Sequence, residues 1–280
     1  MELLNGKELR EKKIEELKSK IERLNELVGL AVIQVGSDEA SNVYIGQKEK
    51  LATRLGYYFI HKKFDESITD EELKEEIDKL NNNEQIDGII VQMPLPKHID
   101  SVKVVNEISE YKDVDGLGFI NAGKLMHGEE ALVSCTPKGI IDLLDNYGIE
   151  IEGKHVVIVG RSILVGKPLA CLFTNRNATV TLCHSRTIDL AKYTREADIL
   201  VTAVGKKHFI TEEMVKEGVV VIDVGINRED KKLYGDVDFD NVSKKASYIT
   251  PVPGGVGPMT ITMLLQNTLE AFTRIEKGRK

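Results

Sequence analysis

Apolar residues recur at helical spacing in the first long segment, at Leu17, Ile21, Leu24 and Val28, which predicts a helix there. The pattern then changes. LAVIQVG (30–36) is a continuous apolar run closed by glycine and predicts a buried strand. YYFIHKKF (57–64) predicts a second strand, and IDGIIVQMPLP (86–96) a third that its prolines stop. Helical segments lie between them. Ser41 is placed to cap the helix that carries Tyr44 and Lys48. Thr69 and Glu72 make a capping box that opens a helix running to about Leu80. IDSVKVVNEI predicts one more helix, and KDVDGLGFINAGKLMHGEE (112–130) a loop-rich hinge between domains.

The second half repeats the alternation. Thr136-Pro137 open a helix, with Pro137 at a favoured first position. KHVVIVG (154–160), ATVTLCHS (178–185), DILVTAV (198–204) and GVVVIDVG (218–225) are short apolar strands, with a helix over 166–177 after the first. A last helix is expected from about Thr260 to Lys277. Strands alternating with helices predict an α/β protein whose parallel sheets are covered on both faces. The expected division is an α/β domain over 1–120, completed by the helix at 260–280, and a doubly wound nucleotide-binding domain over 121–259.

One residue breaks the pattern. Lys48 follows Tyr44 by one helical turn, and Leu51 and Leu55 continue the same face. An amine therefore stands on an apolar stripe, where its charged form is costly to bury. The plainer reading is a lysine that snorkels to water.

Composition narrows the class. The 280 residues are 41% hydrophobic and 30% charged, an ordinary globular balance, long enough for one large domain or two of usual size. A net charge of -7 without basic clusters argues against a nucleic-acid partner. No apolar run approaches a membrane span, and MELLNGKELREKK lacks a signal-peptide pattern, so the expected location is the cytoplasm. Cys135, Cys171 and Cys183 form no CxxC pair, and the six histidines form no HExxH. Neither a disulfide framework nor a metal site is expected.

Two loops carry candidate binding chemistry. The strand VVIVG runs into Gly160-Arg161-Ser162-Ile163-Leu164-Val165-Gly166, a glycine-bounded turn ahead of a helix, where backbone amides can meet a phosphate. In an NAD-binding fold an acidic residue about 20 positions on would hold the ribose 2′-hydroxyl. Here that place reads Cys183-His184-Ser185-Arg186-Thr187, without a carboxylate. Arg161, Ser185 and Arg186 could instead receive a 2′-phosphate, which favours NADP over NAD. A tight turn with a surface arginine is the plainer alternative. YITPVPGGVGPMT (248–260) is a rigid loop poor in side chains, suited equally to close approach of a flat ligand or to connecting domains.

VGSDEASNVYIGQKEK, DGIIVQMPLP, YKDVDG, CTPKG, VGRSILVGKPLA, DVGIN and YITPVPGGVGPMT occur in this order. Together they closely resemble the bifunctional methylenetetrahydrofolate dehydrogenase/methenyltetrahydrofolate cyclohydrolase family, over nearly the whole chain. The resemblance implies an N-terminal α/β catalytic domain and a Rossmann NADP-binding domain with a cleft between them. It implies tetrahydrofolate substrates and a homodimer built on the Rossmann domains. Lys48 corresponds to the family's catalytic lysine, Tyr44 to its stacking tyrosine, Gln92 to the glutamine that contacts the lysine, and Asp115 to the aspartate that holds the pterin. Folate contacts map to Pro253 and Gly257, and NADP contacts to Gly160, Arg161, Ser162, Ser185 and Ile226. Many members read DGFHP where this chain reads DGLGF (115–119), which implies a different local loop path.

The implied chemistry is hydride transfer followed by hydrolysis. Removing a hydride from a carbon between two nitrogens needs positioning but no base. Adding water to the resulting cation needs a group that moves a proton, and a partly neutral lysine can do so. A dehydrogenase without the second activity is the nearest alternative. Another two-domain NADP oxidoreductase would share the nucleotide half but have no need of YxxxK, VQMPLP and PVPGGVGPMT together. A non-catalytic folate-binding subunit would usually lack the site residues, and they are present.

Overall fold

The computed structural model describes residues 1–230 and 232–279. The chain forms two compact units: Met1–Glu11 with Thr136–Thr260, and Lys12–Cys135 with Ile261–Lys280. In chain order the first elements are β1 (Glu2–Leu3), α1 (Gly6–Ile21), β2 (Gly29–Val35), α2 (Glu39–Arg54), β3 (Tyr58–Phe64), α3 (Asp70–Asn81), β4 (Gly88–Val91), α4 (Ser101–Asn106) and α5 (Phe119–His127). They are followed by α6 (Cys135–Asn146), β5 (His155–Val159), α7 (Gly166–Asn175), β6 (Thr179–Cys183), α8 (Leu190–Thr194), β7 (Ile199–Thr202) and β8 (Val220–Asp223). The remainder is β9 (Asn227–Glu229), β10 (Lys232–Tyr234), α9 (Phe239–Val242), β11 (Tyr248–Ile249) and α10 (Gly257–Arg279). No helix among the described residues is long and apolar enough to cross a membrane.

The Lys12–Cys135 unit is built on a parallel sheet of order β3-β2-β4. All seven residues of β2 are buried, as its unbroken apolar run requires of a central strand. Ile33, Leu73, Ile77, Ile89 and Val104 belong to one core cluster beneath this sheet. The Thr69–Glu72 capping box opens α3, as its sequence predicts. The final helix completes this unit: the Tyr57 hydroxyl donates to Leu265 O at 2.7 Å, and Asn267 Nδ2 donates to Val114 O and Val133 O, both at 2.8 Å. Gly88 makes room for it, since a Cβ there would stand 2.7 Å from Val114 Cγ1 and 3.0 Å from Thr268 Cγ2.

The other unit holds a six-stranded sheet of order β1-β11-β8-β7-β5-β6, parallel throughout. The strands β5, β6, β7 and β8 coincide with the predicted runs, with β6 at the edge of the sheet. The strands β1 and β11 are two residues each, too short to leave a period in the sequence. Leu4, fully buried after β1, anchors the N-terminus, and burying such a side chain stabilises by about 1.5–3 kcal/mol.

Three expectations are corrected. The first helix ends at Ile21 rather than continuing to Val28. Backbone bonds there tighten to Arg23 N–Lys20 O and Leu24 N–Ile21 O, and Val28 is buried as the approach to β2. The cap of α2 is Asp38, whose carboxylate accepts from Ser41 N at 2.8 Å; Ser41 lies inside the helix and its hydroxyl donates to Met93 O. The stretch 112–130 is not all loop. It contains α5, opened at Gly118 and closed by Gly128 in the left-handed region at φ 73°.

Candidate active site

Helix α2 buries Ile45, Leu51, Ala52 and Leu55, and Lys48 shares that face, half-buried. Its Nζ donates to Gln92 Oε1 at 2.7 Å. Gln92 follows β4 directly and is held at three points: its backbone N–H donates to Ile33 O at 2.8 Å, its Nε2 to Met93 O at 2.8 Å, and its Oε1 receives the amine. Burial lowers the Lys48 pKa, and the nearby Asp115 and Cys135 oppose that shift without cancelling it. Tyr44, one turn earlier, is 48% exposed.

Asp115 reaches this group because KDVDG runs alongside β4, with Ile89 N donating to Lys112 O at 2.7 Å. Burial raises the Asp115 pKa, opposed by the Lys48 charge and by a hydrogen bond from the Cys135 thiol. Amine and acid are thus each shifted toward their neutral forms. Asp113 fixes the loop beyond: it accepts from Gly118 N at 2.9 Å, Leu117 N at 3.3 Å and Asn121 Nδ2 at 3.1 Å. A Cβ on Gly118 would lie 3.0 Å from Asp113 Oδ2, so the glycine of DGLGF belongs to this loop path. Cys135 escapes sequence reasoning as a site residue. Its one signal is its place directly before Thr136-Pro137, where it opens α6. Among the described residues no group of three or more His, Cys, Asp or Glu could hold a metal ion.

The nucleotide candidates lie in the six-stranded unit, at the C-terminal ends of its strands, where doubly wound sheets bind ligands. Gly160 has φ 128° and passes so close to β7 that a Cβ would stand 2.4 Å from Ala203 O. A Cβ on Gly166 would stand 1.9 Å from Gly160 O, so both glycines are needed to close the turn. Ser162 Oγ accepts from Val165 N at 3.1 Å, and α7 opens without a side-chain cap. Arg161 and Ser162 are exposed beside it, and Ser185 and Arg186 are exposed after the adjacent β6. An uncapped helix start, a tight glycine turn and exposed arginines without a carboxylate suit a phosphorylated dinucleotide. Ile226, 53% exposed, follows β8. A Cβ on Gly257 would lie 3.9 Å from Ile226 Cδ1, so these two come together. Pro253 is exposed in the same unit, whereas Tyr44, Lys48, Gln92 and Asp115 belong to the other.

Residues 4–115 match the model of the tetrahydrofolate dehydrogenase/cyclohydrolase catalytic domain, and residues 134–276 that of its NAD(P)-binding domain. The bifunctional protein FolD of Halalkalibacterium halodurans is 54% identical over 272 residues, covering 96% of this chain and 98% of the relative. The structure of the bifunctional FolD methylenetetrahydrofolate dehydrogenase/cyclohydrolase of Campylobacter jejuni superposes with a TM-score of 0.97 at 47% identity, covering 98% and 99% of the two chains. The Trypanosoma brucei methylenetetrahydrofolate dehydrogenase-cyclohydrolase, solved with NADP and an inhibitor, gives a TM-score of 0.91 at 38% identity over 97% of each chain. On sequence and structure alike, this chain belongs to the tetrahydrofolate dehydrogenase/cyclohydrolase family.

Proposed function

We propose that this chain oxidises methylenetetrahydrofolate to the methenyl form with NADP and hydrolyses that product to formyltetrahydrofolate. One observation carries the assignment of the hydrolytic step: a lysine held by a neutral glutamine and shifted toward its uncharged form; membership of the family, with its NAD(P)-binding domain, supports the hydride transfer.

NADP, when bound, accepts the hydride. Gly160 and Ser162 would hold its bridging phosphates and Arg161 and Ser185 its 2′-phosphate, with Ile226 against the nicotinamide half. Tyr44 offers its exposed ring face for an aromatic part of the folate. Asp115 would take the pterin through two parallel hydrogen bonds, and Pro253 and Gly257 would lie against the folate. No proton leaves the methylene carbon in the first step, so these residues need only position the reactants.

The second step adds water to a cation. Water loses a proton as it attacks, and a ring nitrogen gains one as the ring opens. Neutral Lys48 accepts the first proton and returns it. Gln92 aims the amine without adding a charge that would keep it protonated. Dimerisation through the NADP-binding unit, a cytoplasmic location and supply of one-carbon units to purine and amino-acid biosynthesis belong to the same reading, and the family resemblance supports them.

The test follows NADPH absorbance with methylenetetrahydrofolate, then the decay of supplied methenyltetrahydrofolate, with NAD as control cofactor. Lys48→Met is expected to lose about 10²–10⁴-fold of the hydrolysis while keeping hydride transfer. Loss of hydride transfer with hydrolysis retained would overturn the role of Lys48. No NADP-dependent turnover by the wild type would overturn the function.

A further inference from the structure

Two buried carboxylates meet where β7 and β8 end. Asp223 is 4% exposed and Asp236 fully buried. Asp223 Oδ1 accepts from Gly225 N and Asp236 N, both at 2.9 Å, and its Oδ2 from Val237 N at 2.9 Å. Asp236 Oδ2 accepts from Val204 N at 2.7 Å and Gly205 N at 3.1 Å, with the Thr202 hydroxyl at 3.4 Å. Its Oδ1 accepts from Lys206 N at 2.8 Å and Asn227 Nδ2 at 3.1 Å. These donors are backbone amides, one hydroxyl and one side-chain amide. The chain is shaped around the pair. A Cβ on Gly225 would stand 2.2 Å from Asp236 Oδ1, and one on Gly235 would stand 1.8 Å from Asp223 Oδ2.

The placement is informative. Buried charge is costly, and an apolar cluster would scaffold a loop with less penalty. What the pair adds is direction, because each carboxylate gathers N–H groups from a segment at the ligand end of the sheet. The three successive amides of Val204, Gly205 and Lys206 all turn to one side chain. Ile226 is clamped on both flanks, at Gly225 by Asp223 and at Asn227 by Asp236, while its own side chain stays exposed.

The geometry points to Asp223 and Asp236 as positioning residues for the cofactor: a paired-carboxylate brace that sets the Val204–Lys206 turn and the exposed Ile226 for the nicotinamide half of NADP. This rests on the functional reading above, so wild-type turnover is measured first. Asp236→Asn tests the brace, because either orientation of the new amide turns its NH2 toward N–H donors. The expected result is a rise in the KM for NADP of about ten- to a hundredfold, with the KM for the folate substrate and the hydrolysis of supplied methenyltetrahydrofolate unchanged. Asn227→Ala removes one clamp only and keeps both carboxylates satisfied elsewhere. It should raise the same KM roughly three- to tenfold, and it decides the matter should Asp236→Asn fail to fold. An unchanged KM for NADP in the folded variants overturns the brace, as does an equal loss of both activities. Absence of NADP-dependent turnover in the wild type overturns the functional reading itself, and the brace with it.

Discussion

Replacing Gln92 by glutamate tests how Lys48 is tuned. The wild-type contact is a 2.7 Å hydrogen bond to a neutral acceptor, and burial already lowers the amine's pKa. A carboxylate at that distance would attract the ammonium by about 6 kcal/mol at an effective dielectric of about 20, before either group is desolvated. Desolvation offsets much of this, and an opposite charge at contact range typically shifts a pKa by about 1–3 units. The sign is upward for Lys48, toward the charged form. Below that pKa the neutral fraction falls about tenfold per unit, so hydrolysis at neutral pH should fall about 10–10³-fold. The pH–rate profile for hydrolysis should move to higher pH. Hydride transfer needs no proton from Lys48 and should stay near wild type. The new second oxygen would face the Met93 carbonyl that Gln92 Nε2 now donates to, costing about 1–3 kcal/mol of stability. The assay follows methenyltetrahydrofolate absorbance from acid to alkaline pH, beside NADPH formation. An unmoved hydrolysis profile, or an equal fall in both activities, would refute the reasoning.

Further outcomes follow from the same geometry. Asp223 has a pKa pushed up to about 6 by burial, against about 3.9 in an unfolded chain. Its folded form binds the proton more tightly, so this contribution is full below about pH 4 and lost as pH rises through about 6, roughly 3 kcal/mol in all. The stability difference between wild type and Asp223→Asn, measured by denaturant unfolding at pH 4 and pH 7, should shrink by about that amount at the higher pH; a flat difference would contradict it. Arg161→Ala should lower kcat/KM for NADP about tenfold and leave the weaker NAD reaction nearly unchanged, and equal losses with both would remove Arg161 from 2′-phosphate recognition. Gly160→Ala cannot keep φ 128° or the approach to Ala203 O, so it should raise the KM for NADP while sparing hydrolysis of supplied methenyltetrahydrofolate, and unchanged cofactor kinetics would refute that.

How much of this could be read along the chain depended on the range of the interactions. The inner strands β2, β5, β7 and β8 are buried on both faces, so their apolar runs announce them. The capping box at Thr69 and Glu72 is local and equally plain. Lys48 stood out because a helix repeats every few residues. Contacts between distant segments left no such mark. β1 and β11 exist because two residues at one end of the chain pair with two near the other. Asp38 rather than Ser41 caps α2 because Ser41 turns its hydroxyl to Met93 O, 52 positions away. Helix α5 hid between glycines that serve as its two boundaries. Cys135 and the Asp223–Asp236 pair owe their surroundings to the fold: their neighbours come from several loops, and their residue types have no spacing rule.

The interleaved chain has a consequence for how the protein is made. The sheet containing β1 needs Tyr248–Ile249, and the Lys12–Cys135 unit needs the far half of α10. A ribosome must therefore release almost the entire polypeptide before either unit can close, which places long loops ahead of the contacts that reward them. Nascent chains stalled before α10 would leave Tyr57, Val114 O and Val133 O without the partners that Leu265 and Asn267 supply, and would be natural clients for chaperones. For the same reason a gene fragment ending near residue 115 is not a portable catalytic module. It lacks the last strip of its own core, encoded about 150 codons downstream.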